Sequence, residues 1–176
     1  AQKAFLTNKQ ITKSFVVPNM VSEEFLIAEP KSITSISRIV TVGRLTEQKN
    51  MEMAIKSIYN LHNVLGDIKL YIYGEGVERK RLEEMIKSLN ATSYIFLMGF
   101  SNHVKSILEN ADVFILTSDH EGMPNSLMEA MAMGKACIST DCPTGPKELI
   151  SDNRGILVKP KDVDELVTAI KYYSSN

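Results

Sequence analysis

Asp112-Val113-Phe114-Ile115-Leu116-Thr117, running through Ser118-Asp119-His120 into Glu121-Gly122-Met123-Pro124-Asn125-Ser126-Leu127-Met128-Glu129-Ala130, is the stretch from which the fold can be read. The apolar run predicts a buried strand. Gly122 and Pro124 predict a sharp turn, and the residues beyond predict a helix whose first amides have no helical partner. Strand, turn and helix start, in that order, build an anion site at the carboxyl edge of a parallel sheet. Glu121 and Glu129 flank the turn, eight positions apart. Carboxylates so placed suit sugar hydroxyls, with the segment Gly122-Met123-Pro124-Asn125-Ser126 against phosphate. Alone, a Glu at a helix start and another inside the helix are commonplace surface residues. Their weight comes from what precedes them.

The same alternation runs through the chain. Strands are expected over Ser37 to Val42, Ile68 to Tyr73, Tyr94 to Met98, Val113 to Thr117, Ala136 to Thr140 and Ile156 to Val158. Their near-continuous apolarity suits strands covered on both faces. Between them, Ala54, Ile58, Leu61 and Leu65 form a helical stripe with Gly66 as its stop. Leu82, Met85, Ile86 and Leu89 form a second stripe, and Val163, Leu166, Val167 and Ile170 a third. This pattern predicts an α/β fold: a Rossmann-like three-layer sandwich with a mostly parallel sheet of about six strands, helices on both faces and right-handed crossovers. The first thirty residues break the rhythm. Phe15 to Asn19 reads as a short strand entering a turn, so residues 1–30 are expected to be a linker region and residues 31–176 the domain.

A chain of 176 residues is large enough for one well-buried core. With 44% hydrophobic and 23% charged residues the composition is that of a globular protein rather than a disordered one. Twenty Lys and Arg against 21 Asp and Glu argue against a nucleic-acid partner. No apolar run approaches membrane-spanning length and no signal peptide opens the chain, so a cytoplasmic location is expected. Cys137 and Cys142 are expected to be reduced thiols. The chain starts at Ala1 without Met, as a piece of something longer would.

Gly43-Arg44-Leu45-Thr46-Glu47-Gln48-Lys49-Asn50 follows the first strand, at the edge where ligands bind in such sheets. Arg44 offers a planar fork of donors for phosphate oxygens and Lys49 a point charge. Loop cations are common in isolation; sharing a sheet edge with the Glu121 turn, these two are expected to point into one cleft. Gly74-Glu75-Gly76 follows the second strand but lacks the third glycine of a dinucleotide fingerprint, position 79 being Arg. Gly74 there suits a tight turn beside a ligand. Gly99-Phe100-Ser101 after the third strand offers an apolar face to a base. Gly134-Lys135 is followed by Ala136, so it is no phosphate loop. His62, His103 and His120 stand at no metal-ligand spacing and no metal site is expected. Met123, Met128, Met131 and Met133 are packing residues.

Taken together these residues resemble the retaining group 1 glycosyltransferases of the GT-B type, in their carboxy-terminal, donor-binding half. The resemblance rests on Pro18-Asn19, Val42-Gly43-Arg44-Leu45 through Lys49-Asn50, Tyr73-Gly74-Glu75-Gly76, Gly99-Phe100, Ala111-Asp112, Glu121-Gly122 through Glu129-Ala130, Gly134-Lys135, Gly145-Pro146-Lys147-Glu148, Gly155 and Val158. It covers nearly the whole chain from Phe15. It implies that Arg44 and Lys49 neutralise the departing diphosphate, that Glu129 holds the ribose hydroxyls, and that Glu121 holds the transferred sugar. It further implies a nucleotide diphosphate sugar as donor, no separate cofactor, and an amino-terminal acceptor-binding domain that this chain lacks. Pro143-Thr144-Gly145-Pro146, where many relatives have a Gly-Gly turn, resembles the form found in surface-polysaccharide enzymes. The expectation is therefore sugar transfer to a hydroxyl acceptor in capsular polysaccharide or glycolipid synthesis, with a lipid-linked acceptor at the inner membrane face as a further partner. Two alternatives stand beside it, a stand-alone nucleotide-binding regulatory module and a sugar-nucleotide epimerase. A glycan phosphorylase is disfavoured, since no pyridoxal phosphate lysine motif is found.

Overall fold

The computed structural model describes residues 19–26 and 35–175. The strand expected at 15–19 lies outside them but for Asn19, which is not in a strand. Six strands form one sheet: β1 (Arg38–Val42), β2 (Lys69–Tyr73), β3 (Ile95–Gly99), β4 (Val113–Leu116), β5 (Ala136–Thr140) and β6 (Ile156–Val158). Among the described residues six α-helices alternate with or follow them: α1 (Met51–Leu65), α2 (Arg79–Ser88), α3 (Val104–Glu109), α4 (Asn125–Ala132), α5 (Pro146–Leu149) and α6 (Val163–Ser175). The sheet order is β3-β2-β1-β4-β5-β6. Every pairing in it is parallel, where a mostly parallel sheet was expected.

Period-two alternation divides the core between the two faces of the sheet. Ile39, Leu70, Ile72, Ile95, Val113, Ile115 and Ile138 join Ile55, Ile58 and Leu61 of α1, Leu82 and Ile86 of α2, and Leu166 and Ile170 of α6. Phe114, Leu116 and Cys137 face the other way, against Leu108 of α3 and Leu127 and Ala130 of α4. Burial on both faces is why these strands read as continuous apolar runs. Gly66, at φ 74°, ends α1 as expected, its amide donating to the His62 carbonyl. Leu65 departs from the expected stripe: it is 39% exposed, in the last turn before that stop.

Candidate functional site

β1 and β4 are neighbours, yet the chain leaves β1 towards β2 and leaves β4 towards β5, on opposite sides. Diverging connections open a crevice at the carboxyl edge, and in this sheet class the crevice is where ligands bind. The loops after β1 and after β4 form its walls.

Those two loops are tied together. Asn50 sits at φ 46°, where its side chain accepts from the Met53 amide and caps α1. The same side chain donates to Asp119 Oδ1 at 2.9 Å. The Asp119 amide donates to the Gln48 carbonyl at 2.8 Å. Gln48 Nε2 donates to the His120 carbonyl at 2.7 Å, and Thr117 Oγ1 to the Lys49 carbonyl at 3.0 Å. Inside this frame Lys49 Nζ lies 2.5 Å from Glu121 Oε1, and Ser118 Oγ donates to the same oxygen at 2.6 Å. The side chains of Lys49 and Glu121 are 14% and 8% exposed. Desolvation of both charges is offset by their attraction and by the serine hydroxyl.

The loop after β5 supports the Glu121 turn from behind. The Thr144 hydroxyl donates to the Glu121 carbonyl. Gly145 adopts φ 83°, and a Cβ there would stand 2.2 Å from the Gly122 carbonyl oxygen and 2.9 Å from Pro124 Cδ. Pro124 is the N-cap of α4, and no side chain caps this helix. Asn19 Nδ2 donates to Asn125 Oδ1 at 2.8 Å. Met123 and Ser126 are half-buried and Gly122 is exposed. Glu129, one turn into α4, is half-buried; loss of solvent, with the nearby Glu24 charge, raises its carboxyl above the usual range.

On the other side of the crevice the loops after β1, β2 and β3 lie edge to edge. The Leu45 amide donates to the Glu75 carbonyl at 2.9 Å, and the Gly74 amide to the Gly99 carbonyl at 2.8 Å. Gly74 is held at φ 145°, and a Cβ there would fall 1.8 Å from the Gly43 carbonyl oxygen, so only glycine admits this approach. Arg44, Gly74, Val42 and Phe100 line a cavity of about 290 Å³. Phe100 is 79% exposed. Arg44 is exposed, and among the described residues its guanidinium forms no ion pair.

The structure therefore brings Lys49 to Glu121 and places Arg44 with Gly74 and Phe100. The two cations belong to differently anchored parts of the loop after β1. Arg44 leaves β1 where the chain pairs with the loop after β2, whereas Lys49 ends a one-turn 3-10 helix (Glu47–Lys49) tied to the loop after β4. Ser118 and Asp119 were given no role in the sequence, and Thr144 was named only within the turn at 143–146. The spacing Ser118-x-x-Glu121 is a signal that could have found the first, since serine and glutamate three apart recur in capping boxes. Of the histidines, His62 stacks on Tyr94 at 3.6 Å, and His120 meets the site through its carbonyl. Among the described residues no group of three His, Cys, Asp or Glu is placed to hold a metal ion.

An all-parallel sheet in this order, with charged loops at its β1/β4 switch point, defines a Rossmann-like α/β domain. Within that class the chain belongs to the group 1 glycosyl transferases, whose family model matches residues 22–176. It is 33% identical over 147 residues to an uncharacterised glycosyltransferase of Methanocaldococcus jannaschii, a match covering 78% of this chain and 36% of that protein. It is 34% identical over 138 residues to the GtfA subunit of a UDP-N-acetylglucosamine–peptide N-acetylglucosaminyltransferase of Limosilactobacillus reuteri, covering 78% of this chain and 27% of that protein. Among solved structures it resembles a mutant of S. aureus TarM in complex with fondaparinux, alpha-GlcNAc-glycerol and UDP. That likeness has a TM-score of 0.81 at 24% identity and covers 97% of this chain and 36% of the other. The chain thus spans about a third of the length of the relatives it matches.

Proposed function

We propose that this chain is the donor-binding domain of a retaining glycosyltransferase that moves a sugar from a nucleoside diphosphate to a hydroxyl acceptor. The observation that carries the proposal is the Lys49–Glu121 pair at the switch point, a cation for phosphate and a carboxylate for sugar hydroxyls held by the same frame. Arg44 and Lys49 take the diphosphate, assisted by the uncapped start of α4. Phe100, with Gly74 beside it, takes the base in the 290 Å³ cavity. Glu129 accepts from the ribose hydroxyls and Glu121 from the transferred sugar.

The chemistry follows from these charges. As the glycosidic bond to the donor lengthens, positive charge grows on the anomeric carbon and negative charge on the departing diphosphate. Cations and amides already in place stabilise that separation without reorganising at the moment of reaction. Glu121 orients the sugar so that its reactive face meets the acceptor. The acceptor is bound by an amino-terminal half of the same enzyme, consistent with relatives about two to three times the length of this chain. A lipid-linked acceptor in surface polysaccharide or glycolipid assembly, at the inner face of the membrane, is the setting we favour.

The donor is proposed to carry uridine, in keeping with the UDP-N-acetylglucosamine named for the GtfA relative. Calorimetry of the full-length protein with uridine, guanosine and adenosine diphosphates tests it. Uridine diphosphate should bind most tightly, and Lys49→Ala should weaken it. Binding of none of the three, or indifference to Lys49→Ala, would reject the reading. Transfer is then assayed with the full-length enzyme; epimerisation of the donor without transfer would favour the alternative chemistry.

A further inference from the structure

We infer that Ser118 is a positioning residue that decides which oxygen of Glu121 is offered to the donor's sugar. This rests on the proposed reading of Glu121 as the sugar-holding carboxylate. Ser118 is fully buried at the end of β4, and its backbone carbonyl is itself fixed by Thr140 Oγ1 at 2.6 Å. Its hydroxyl donates to Glu121 Oε1, the oxygen that Lys49 also contacts. Among the described residues Glu121 Oε2 has no hydrogen-bond partner, and it is not closed off from solvent. The carboxylate is thus occupied on one side and open on the other.

The two contacts on Oε1 are not equivalent. Lys49 carries its charge on a flexible stem and is the group proposed to meet the diphosphate, so its hold on Glu121 weakens as donor binds. Ser118 has a single rotatable bond and lies two residues past β4, fully buried, with its carbonyl held by Thr140 Oγ1. It keeps Oε1 occupied while Lys49 turns to phosphate, and Oε2 stays aimed at the sugar. Without the hydroxyl, a carboxylate released by Lys49 rotates freely and loses its geometry for the sugar, while the diphosphate contacts persist.

The experiment compares dissociation constants for UDP and UDP-N-acetylglucosamine, by calorimetry on the full-length protein. The proteins compared are the native enzyme, Ser118→Ala, Glu121→Gln and the double variant, with thermal melts to confirm folding. In Ser118→Ala the UDP affinity should stay within about twofold, while affinity for the sugar nucleotide relative to UDP falls about tenfold, as for losing one hydrogen bond to a charged group. Adding Ser118→Ala to Glu121→Gln should change that ratio no further, because serine acts through the glutamate. A purely structural serine would weaken both ligands alike and add its effect in the double variant. If Glu121→Gln lowers the ratio and Ser118→Ala does not, the positioning role is wrong and the site reading stands. If neither variant lowers it, or UDP does not bind, the reading of the site falls and the role of Ser118 with it. Should Ser118→Ala fail to fold, Ser118→Thr, which keeps the hydroxyl, must hold the native ratio or the inference is overturned.

Discussion

Glu121 and Glu129 belong to one turn and helix but meet opposite surroundings. Glu121 lies against a lysine; Glu129 has lost much of its solvent and faces the charge of Glu24. Because the folded carboxyl of Glu129 holds its proton to higher pH than the unfolded one, the folded state binds more protons between the two values. Stability contributed by this group therefore falls as the pH rises through that window. Glu129→Gln should raise the melting temperature at neutral pH, and the gain should vanish as the pH drops below the usual carboxylate range. A series of melts from pH 3 to pH 8 checks this, and a gain that grew towards acid would contradict it. That a costly charge is kept here fits a role towards ligand, since functional groups are commonly held at the expense of stability. Lys49→Ala in the full-length enzyme should lower turnover about a hundredfold, as for losing one electrostatic stabiliser, read by steady-state donor consumption. Glu121→Gln should hold UDP as tightly as the native protein or tighter, since it removes the competing partner of Lys49; calorimetry decides. The residue types of this site were legible from Arg44 through Glu129. The pairing of Lys49 with Glu121 was not, because it depends on β1 and β4 being neighbours, and no local pattern encodes that.

At the scale of elements, the site is five loops leaning on one another. The turn that carries Glu121 rests on the loop after β5, and the point of support is Gly145. A side chain there meets both a positive φ and the backbone of Gly122. Gly145→Ala is expected to destabilise the fold by about 3 kcal/mol, combining backbone strain with a steric shift of the turn. The shift in the urea midpoint measures it, and an unchanged midpoint would show that the turn yields freely. Sequence periodicity placed α1, α2 and α6, each long enough to show an apolar stripe. It did not single out α3 and α5, of six and four residues, because so short a segment holds little more than one turn of signal.

Across the whole molecule, the sheet separates two apolar layers; Cys137 lies in one of them, and Cys142 is buried in the loop after β5. Burial pushes the Cys137 thiol up to about 12 and raises Cys142 as well. Neither offers appreciable thiolate near neutral pH. Both should resist a thiol-specific reagent at pH 8 until the domain opens, with labelling rates that fall as the stability of the fold rises. Rapid labelling of the native protein would show that this layer opens locally. All six strands were legible to within a residue or two at each end, since burial on both faces leaves apolar runs that need no partner to be noticed. Their order in the sheet was not, because a strand's neighbours leave no mark on its own composition. That order reaches back to how the chain is made. Ile39 of β1 pairs with Val113 of β4, so one edge of the central strand has no partner until 74 further residues have been synthesised. At cellular rates of elongation that is about 4 to 15 seconds during which β2 can dock on one edge while the other stays open. Contacts so distant along the chain make the closing step slow. A nascent chain halted between β3 and β4 presents a bare strand edge, flanked by apolar side chains, at the place where the finished protein keeps its charges.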